Sequence, residues 1–422
     1  MGWRWLSFLL ILVLMAGCGN PSVISDPHKV HMLHGREKHV ITFWHTYNDK
    51  ETWLLEHKLI PAFEQEYPNI QVESVNLAFN NELKNSLMAR SFSNRGPDVV
   101  RLDIGWVPEF SAKGFLEPLN KFPGFEKMYR RFKPAAMDVG YNNNNYYSLP
   151  LNIYTKAAIF NRVLLKRVGY TKPPKTLAEV IELARQYHFA IGLGGLKPWD
   201  TLPYLYSLGG ALTDDKFQKA SGYLNSETTI HAVEQLTGLY KEKLLELPED
   251  MHGEGEIWNQ VKRGTILMTD VGPWFYSLSN KKELDRSLLQ TIPIPFPHGK
   301  HPSSIIGGEN LVIMKGTNQQ NEAWTFIKWM TGKRAQLLMA PTGLIPTNQE
   351  AVKALKIPQD SYLYTYAEAA NTAFQWPPVK NWSKIDQVYT ENLDNIFSGR
   401  LSVKEGLDRA AVEIDRLLSD PY

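Results

Sequence analysis

Among 422 residues there is one cysteine, Cys18, so no internal disulfide can form and no paired Cys-x-x-Cys motif is possible. The chain has no HExxH, no GxSxG and no phosphate-binding P-loop, which removes the commonest metalloprotease, serine-hydrolase and nucleotide-hydrolase readings. One stretch begins like a dinucleotide fingerprint, Gly192-Leu193-Gly194, but Lys197 stands where the third glycine belongs. An excess of one charge is missing too: 46 Lys and Arg against 44 Asp and Glu leave +2, so no bulk charge draws the chain onto nucleic acid. Past the first 20 residues no apolar run approaches the ~20 residues of a membrane helix, so the body is expected to be soluble.

What the chain has in quantity is aromatic rings: 12 Trp, 19 Tyr and 18 Phe. Most of them are expected in cores, but so many indoles leave some for a binding surface. The length corresponds to two or three domains, or to two large lobes. At the N-terminus, Arg4 is followed by an apolar stretch from Trp5 to Gly17 that is short for a membrane span. It ends in Leu14-Met15-Ala16-Gly17-Cys18, which resembles a bacterial lipobox, with Met15 where an aliphatic residue is usual. The resemblance implies a signal peptide over 1–17 and lipid attachment at Cys18, and two or more acyl chains would anchor the chain durably to a membrane. Residues 18–37 carry Pro, Gly, Asn and Ser without a sustained period and read as a tether. His28, His31, His34 and His39 fall in or beside it, but an unfolded tether does not pre-organise metal ligands, and no metal or cofactor is expected.

The body alternates strands and helices. Val40 to Trp44 reads as a buried strand, and a helix from about Lys50 carries Leu55, Leu59 and Phe63 at four-residue spacing. A strand over 70–75, a polar helix over 81–93 and a strand over 98–102 follow, which predicts an α/β unit with a parallel sheet. A second α/β unit begins near residue 150. Thr176-Leu177-Ala178-Glu179 and Ser402-Val403-Lys404-Glu405 are capping boxes that open helices. Ile305 to Gly308 and Leu311 to Ile313 read as strands, and the Asn142–Asn145 run reads as a turn.

Along this frame lie short pieces whose order and spacing are specific. They are Phe43-Trp44-His45, Pro61-Ala62-Phe63-Glu64 with Tyr67-Pro68, Gly96-Pro97-Asp98-Val99-Val100, and Gly114 to Leu119. Further on come Tyr147-Ser148-Leu149-Pro150, Gly264 to Met268, Gly272-Pro273-Trp274 and Gly343 to Thr347. Through these pieces the chain resembles the family 1 extracellular solute-binding proteins of ABC importers, the group that includes the maltose-binding protein, over most of residues 40–420. The resemblance implies an α/β fold of the two-lobe periplasmic-binding-protein type (type II), with segment-exchanged lobes around a hinge. One lobe would take 38–149 and 300–345, the other 150–299 and 346–422, with the hinge near Pro150, Pro297 to Pro302 and Pro346. It implies capture of a carbohydrate, an oligosaccharide rather than a monosaccharide, by lobe closure. Delivery would be to ABC importer permease subunits, with no nucleic acid partner and the protein acting as a monomer.

A sugar offers a C–H face to an aromatic ring and an edge of hydroxyls to planar polar groups. Loops at the carboxyl ends of strands supply candidates: Trp44, His45 and Tyr47 after the first strand, Asp103 and Trp106 after the third. Asn152 and Tyr154 follow the expected hinge, and Trp199 with Asp200 ends a Gly-rich stretch expected to be a loop. Trp274, placed after Gly272-Pro273, and Trp376, placed before Pro377-Pro378, are expected to stack on the ligand by the resemblance. Gly307, Gly308 and Glu309 form a patch expected after a strand, the glycines admitting close backbone approach and Glu309 accepting from hydroxyls. Two other classes stay open at this point. Asp103 and Glu309 across one cleft would suit a glycan-cleaving enzyme, though binding without catalysis is expected. A sensor for a membrane signalling protein would share the same fold.

Overall fold

The computed structural model describes residues 38–248, 254–299 and 303–420. The signal and tether expectations, Cys18 included, lie outside these residues.

Two sheets organise the chain. The strands are β1 (His39–His45), β2 (Ile70–Asn76), β3 (Val99–Asp103), β4 (Tyr141–Asn142), β5 (Asn145–Tyr146), β6 (Leu149–Thr155) and β7 (Ala157–Asn161). They continue with β8 (Ala190–Gly192), β9 (Leu245–Glu246), β10 (Ile266–Val271), β11 (Thr291–Pro295), β12 (Ile306–Ile313) and β13 (Ile345–Pro346). The first sheet has the order β13-β6-β12-β3-β1-β2 and the second β11-β7-β10-β8-β9. β1 pairs in parallel with β2 and β3, as the strand–helix alternation predicts. β12, however, enters antiparallel between β3 and β6, and the second sheet is likewise mixed, β7 running antiparallel to β10 and β11. Both sheets are therefore mixed rather than wholly parallel.

Local chemistry explains the elements. Helix Asp49–Leu54 starts on a capping box of Asn48 and Glu51, and the boxes at Thr176 and Ser402 are both formed. The helix that carries Leu55, Leu59 and Phe63, all fully buried, widens into a π turn over Leu55–Leu59. Pro61 follows one residue later, after Ile60, and its missing N–H breaks the regular bond series there. In the Asn run, Asn143 and Asn144 take φ of +47° and +61° and close a tight hairpin between β4 and β5, the left-handed conformation Asn tolerates. Helix Leu177–Tyr187 buries Leu177, Val180, Ile181 and Ala184 as expected, whereas Tyr187 is exposed.

Each sheet has its own apolar layers. Ile41, Phe43, Phe63, Phe326 and Ile327 centre the core under one face of the first sheet, and Leu87, Leu102, Phe110 and Val312 the core on its other face. Phe160, Leu183, Leu239 and Met268 centre the second sheet, and the helices Trp382–Phe397 and Val403–Ser419 pack together with Leu202 and Leu205. The chain passes from the first sheet to the second at one residue, Lys156, between β6 and β7. Pro150 lies inside β6, so this crossing falls six residues beyond the proline expected to mark it. The reason is pairing: Asn152 to Thr155 bond to β12 and keep the chain in the first sheet.

Candidate functional site

The carboxyl ends of β1, β3 and β6 lie together. Because β12 runs antiparallel to β3 and β6, its first half reaches the same edge, with Glu309 opposite both Asp103 and Asn152. Glu309 thus arrives from inside a strand, not from a loop after one. The register slips between Glu309 and Asn310, a bulge that leaves the Glu309 side chain buried rather than at the surface.

Glu309 anchors a polar floor. Its Oε2 lies 2.6 Å from Arg101 Nη2 and accepts from Asn152 Nδ2 at 2.6 Å. Arg101 also donates to Thr46 Oγ1 at 2.8 Å and covers the Tyr47 ring at 4.2 Å. Burial pushes the Glu309 carboxyl above its ordinary range, against the pull of Arg101 and Asn152. Asp103 is half-buried beside it and accepts the Gly105 N–H at 2.8 Å. Burial first, then the charge of Glu309, raises the Asp103 carboxyl to about 7.

Four rings gather over this floor. The half-buried Tyr154 of β6 meets Trp199 edge-on at 5.8 Å and Trp274 at 5.5 Å, and Trp199 lies 6.1 Å from Trp376. Trp274 opens helix Trp274–Ser277 after β10, and its ring folds back over Gly272, where a Cβ would fall 2.0 Å from it. Trp199 is in the first turn of helix Pro198–Ser207, not in a loop, and Asp200 beside it is buried against Lys156 at 3.2 Å. Lys156 also reaches Asp270 at 2.8 Å and lies 5.5 Å over the Trp199 ring, so the residue between the sheets also fixes a ring of the site. The indole nitrogen of Trp376 is buried without a hydrogen-bond partner, and a Cβ on Gly105 would lie 2.6 Å from it. At the rim, Trp106 stacks on Phe79 at 4.9 Å and 15°.

Asp103, Trp106, Asn152, Tyr154, Trp199, Trp274, Glu309 and Trp376 are thus linked through contacts at one edge. Trp44 and His45 are not placed as expected. Trp44 packs against the layer holding Leu87, as Trp106 does, but Arg90 covers its ring at 5.1 Å and among the described residues it stacks on none of the site's rings. His45 is 1% exposed between the Phe43 and Tyr47 rings, and burial, then Arg101, lowers its imidazole to about 3. Its Nδ1 accepts the Tyr47 N–H at 3.3 Å. It is a neutral core side chain with no exposed edge for a ligand. The two glycines serve neighbours within the fold. A Cβ at Gly307 would fall 2.4 Å from the Tyr154 ring, and one at Gly308 2.5 Å from the Asn152 carbonyl.

Arg101 and Phe79 were missed from the sequence. A charged residue inside the apolar run Val99-Val100-Arg101-Leu102 is the signal for a buried pair, and Phe79 follows β2 at its carboxyl end, with a 59% exposed ring.

Residues 58–365 match the family model described as bacterial extracellular solute-binding protein. The chain belongs to that family. This solute-binding protein is 24% identical to the maltotriose-binding protein of Pyrococcus abyssi over 70% of this chain and 64% of that one. It therefore spans just under two thirds of that relative. It is also 24% identical to the diacetylchitobiose binding protein DasA of Streptomyces coelicolor, over 72% of this chain and 73% of that one. Among solved structures, the GacH receptor of Streptomyces glaucescens, determined unliganded and with acarbose, superposes with a TM-score of 0.79 at 25% identity, covering 91% of this chain and 99% of that one. Maltose-bound MalE3 of T. maritima superposes at 0.74 and 22% identity, covering 90% and 99%. The two-lobe α/β fold of these binding proteins is the fold of this chain.

Proposed function

We propose that this solute-binding protein captures a neutral carbohydrate, an oligosaccharide, between its two sheets and delivers it unaltered to the permease subunits of an ABC importer. The observation that carries the reading is the apposition of four half-buried rings, Tyr154, Trp199, Trp274 and Trp376, with the polar floor of Glu309, Asn152 and Asp103. Rings take the C–H faces of a sugar; Asp103 and Asn152 Oδ1, unpartnered among the described residues, take its hydroxyls. The saccharide names of the maltotriose- and diacetylchitobiose-binding relatives support the same ligand class. The Phe79–Trp106 stack at the rim extends the aromatic surface, which favours more than one sugar ring.

The reading takes one lobe as the first sheet with its helices and the other as the second sheet with its own, turning about Lys156. Tyr154 belongs to the first sheet, while Trp199 and Trp274 follow strands of the second, so a ligand gripped by all three favours closure by differential affinity. Binding without turnover is preferred to glycan cleavage because Glu309 is committed to Arg101 and Asn152. We take Cys18 as the lipid anchor and residues 1–17 as a cleaved signal; replacing Cys18 by Ser should then release the protein from the membrane fraction.

The test is a thermal-shift screen of the purified chain over a panel of malto-, chito- and cello-oligosaccharides. A tight ligand raises the unfolding midpoint by mass action, and its recovery uncleaved after incubation is expected. No shift with any glycan, or cleavage products, would overturn the reading.

A further inference from the structure

A second concavity of about 490 Å³ lies elsewhere on the first sheet's helices, where Tyr67 precedes the amino end of β2, and shares no residue with the cleft floor or its rings. Five cationic side chains line it: Lys127, Arg131, Lys328, Lys333 and Arg334. The whole chain carries a formal charge of only +2, so this is a local concentration of charge. None of the five forms an ion pair among the described residues. The one carboxylate in the lining, Glu66, is occupied by Trp329, whose indole Nε1 donates to it at 2.9 Å. Lys328 lies 5.6 Å over the Trp324 ring, and desolvation lowers its ammonium below the usual range. Cations held together without counter-charge repel one another, and an anion entering the cavity relieves that repulsion.

We propose that this cavity is a second binding site, for a phosphate-bearing anion, separate from the carbohydrate cleft. Five cations against one engaged carboxylate match a polyvalent anion better than a single carboxylate. The two guanidinium groups present planar donor forks that fit phosphate oxygens, and the three ammonium groups add point charge. The half-buried rings of Trp329 and Tyr67 give the wall an apolar part for whatever carries the phosphate. A soluble phosphorylated compound and an anionic phospholipid headgroup share this chemistry.

The experiment is calorimetric titration of the chain with inorganic pyrophosphate, together with co-sedimentation on phosphatidylcholine vesicles with and without phosphatidylglycerol. Saturable pyrophosphate binding is expected, weakened about tenfold or more in Arg131→Ala/Arg334→Ala, the scale of losing charge-assisted hydrogen bonds. An unchanged thermal midpoint shows that this variant folds, and Lys328→Gln, which removes the charge but keeps a polar side chain one atom shorter, is the second variant. Sedimentation with phosphatidylglycerol that pyrophosphate competes away assigns a lipid headgroup. Pyrophosphate binding without sedimentation assigns a soluble ligand. The proposal is overturned if neither probe binds, if the variants bind as the parent does, or if citrate binds as tightly as pyrophosphate.

Discussion

Arg101 and Glu309, on the adjacent strands β3 and β12, meet at 2.6 Å with side chains only 3% and 9% exposed. Removing one partner leaves the other buried and uncompensated. Glu309→Ala should therefore lower unfolding free energy by about 3–5 kcal/mol in urea titrations, and Glu309→Gln by clearly less, since the amide still accepts from Asn152. Negligible loss in both variants would mean that the charge pair does not hold the strands together, and equal losses would assign the whole effect to the charge and none to the hydrogen bond from Asn152.

Trp274 and Trp199 face Tyr154, whereas Trp44 stacks on none of the site's rings among the described residues. Under the carbohydrate reading, Trp274→Ala and Trp199→Ala should each weaken oligosaccharide affinity about tenfold or more, as loss of a large anchoring ring does. Trp44→Ala should leave affinity within about twofold while reducing stability by a few kcal/mol, the scale of aromatic truncation in a packed layer. Calorimetry and chemical denaturation separate the two, and a drop in affinity for Trp44→Ala alone would reverse the assignment.

Lys84 of helix Asn81–Phe92 and Glu109 of helix Val107–Ala112, on the first sheet's side, meet Ser383 of helix Trp382–Phe397. Lys84 Nζ is 2.5 Å from Glu109 Oε2, Ser383 Oγ donates to the same oxygen at 3.0 Å, and Lys84 and Ser383 are also bonded. Under the carbohydrate reading, Ser383→Ala removes both hydrogen bonds that Ser383 makes across this contact and should speed oligosaccharide release about tenfold or more, the worth of two such bonds, with little change in association. Stopped-flow kinetics gives both rates; slowed association with unchanged release would place Ser383 outside the closing contact.

The Asp103 carboxyl is raised to about 7 from an ordinary 3.8. The folded state therefore holds a proton that the unfolded chain has lost, and stability falls as pH rises from about 4 to about 7. Asp103→Asn abolishes that term. Relative to the parent, the variant should gain on the order of 1 kcal/mol between pH 4 and pH 8, with solvent screening at this half-buried site already allowed for. Parallel pH–stability curves for the two proteins would refute the shift.

Much of the fold was legible because its signals are local. The period of Leu55, Leu59 and Phe63, the capping boxes at Thr176 and Ser402, and the Asn pair that turns the β4–β5 hairpin each act within a few residues. The rings and polar groups of the site were mostly legible by type, since a sugar demands stacking faces and planar acceptors. Trp44 was misplaced because alternation along a strand states that there are two faces but not which one meets the ligand; His45, on the other face, was misplaced because its burial between Phe43 and Tyr47 under distant helices has no local signal.

From residue order alone came the strand–helix alternation, the helix starts, the near-neutral charge and the supply of aromatic side chains. Only the tertiary structure decided that β12 enters antiparallel between β3 and β6. That insertion brings Glu309 against Asn152, 157 residues away, and beside Asp103. Periodicity and capping act over a turn or two of chain, whereas the neighbour of a strand is settled by which distant segments bury each other's surfaces, and no local pattern encodes that choice.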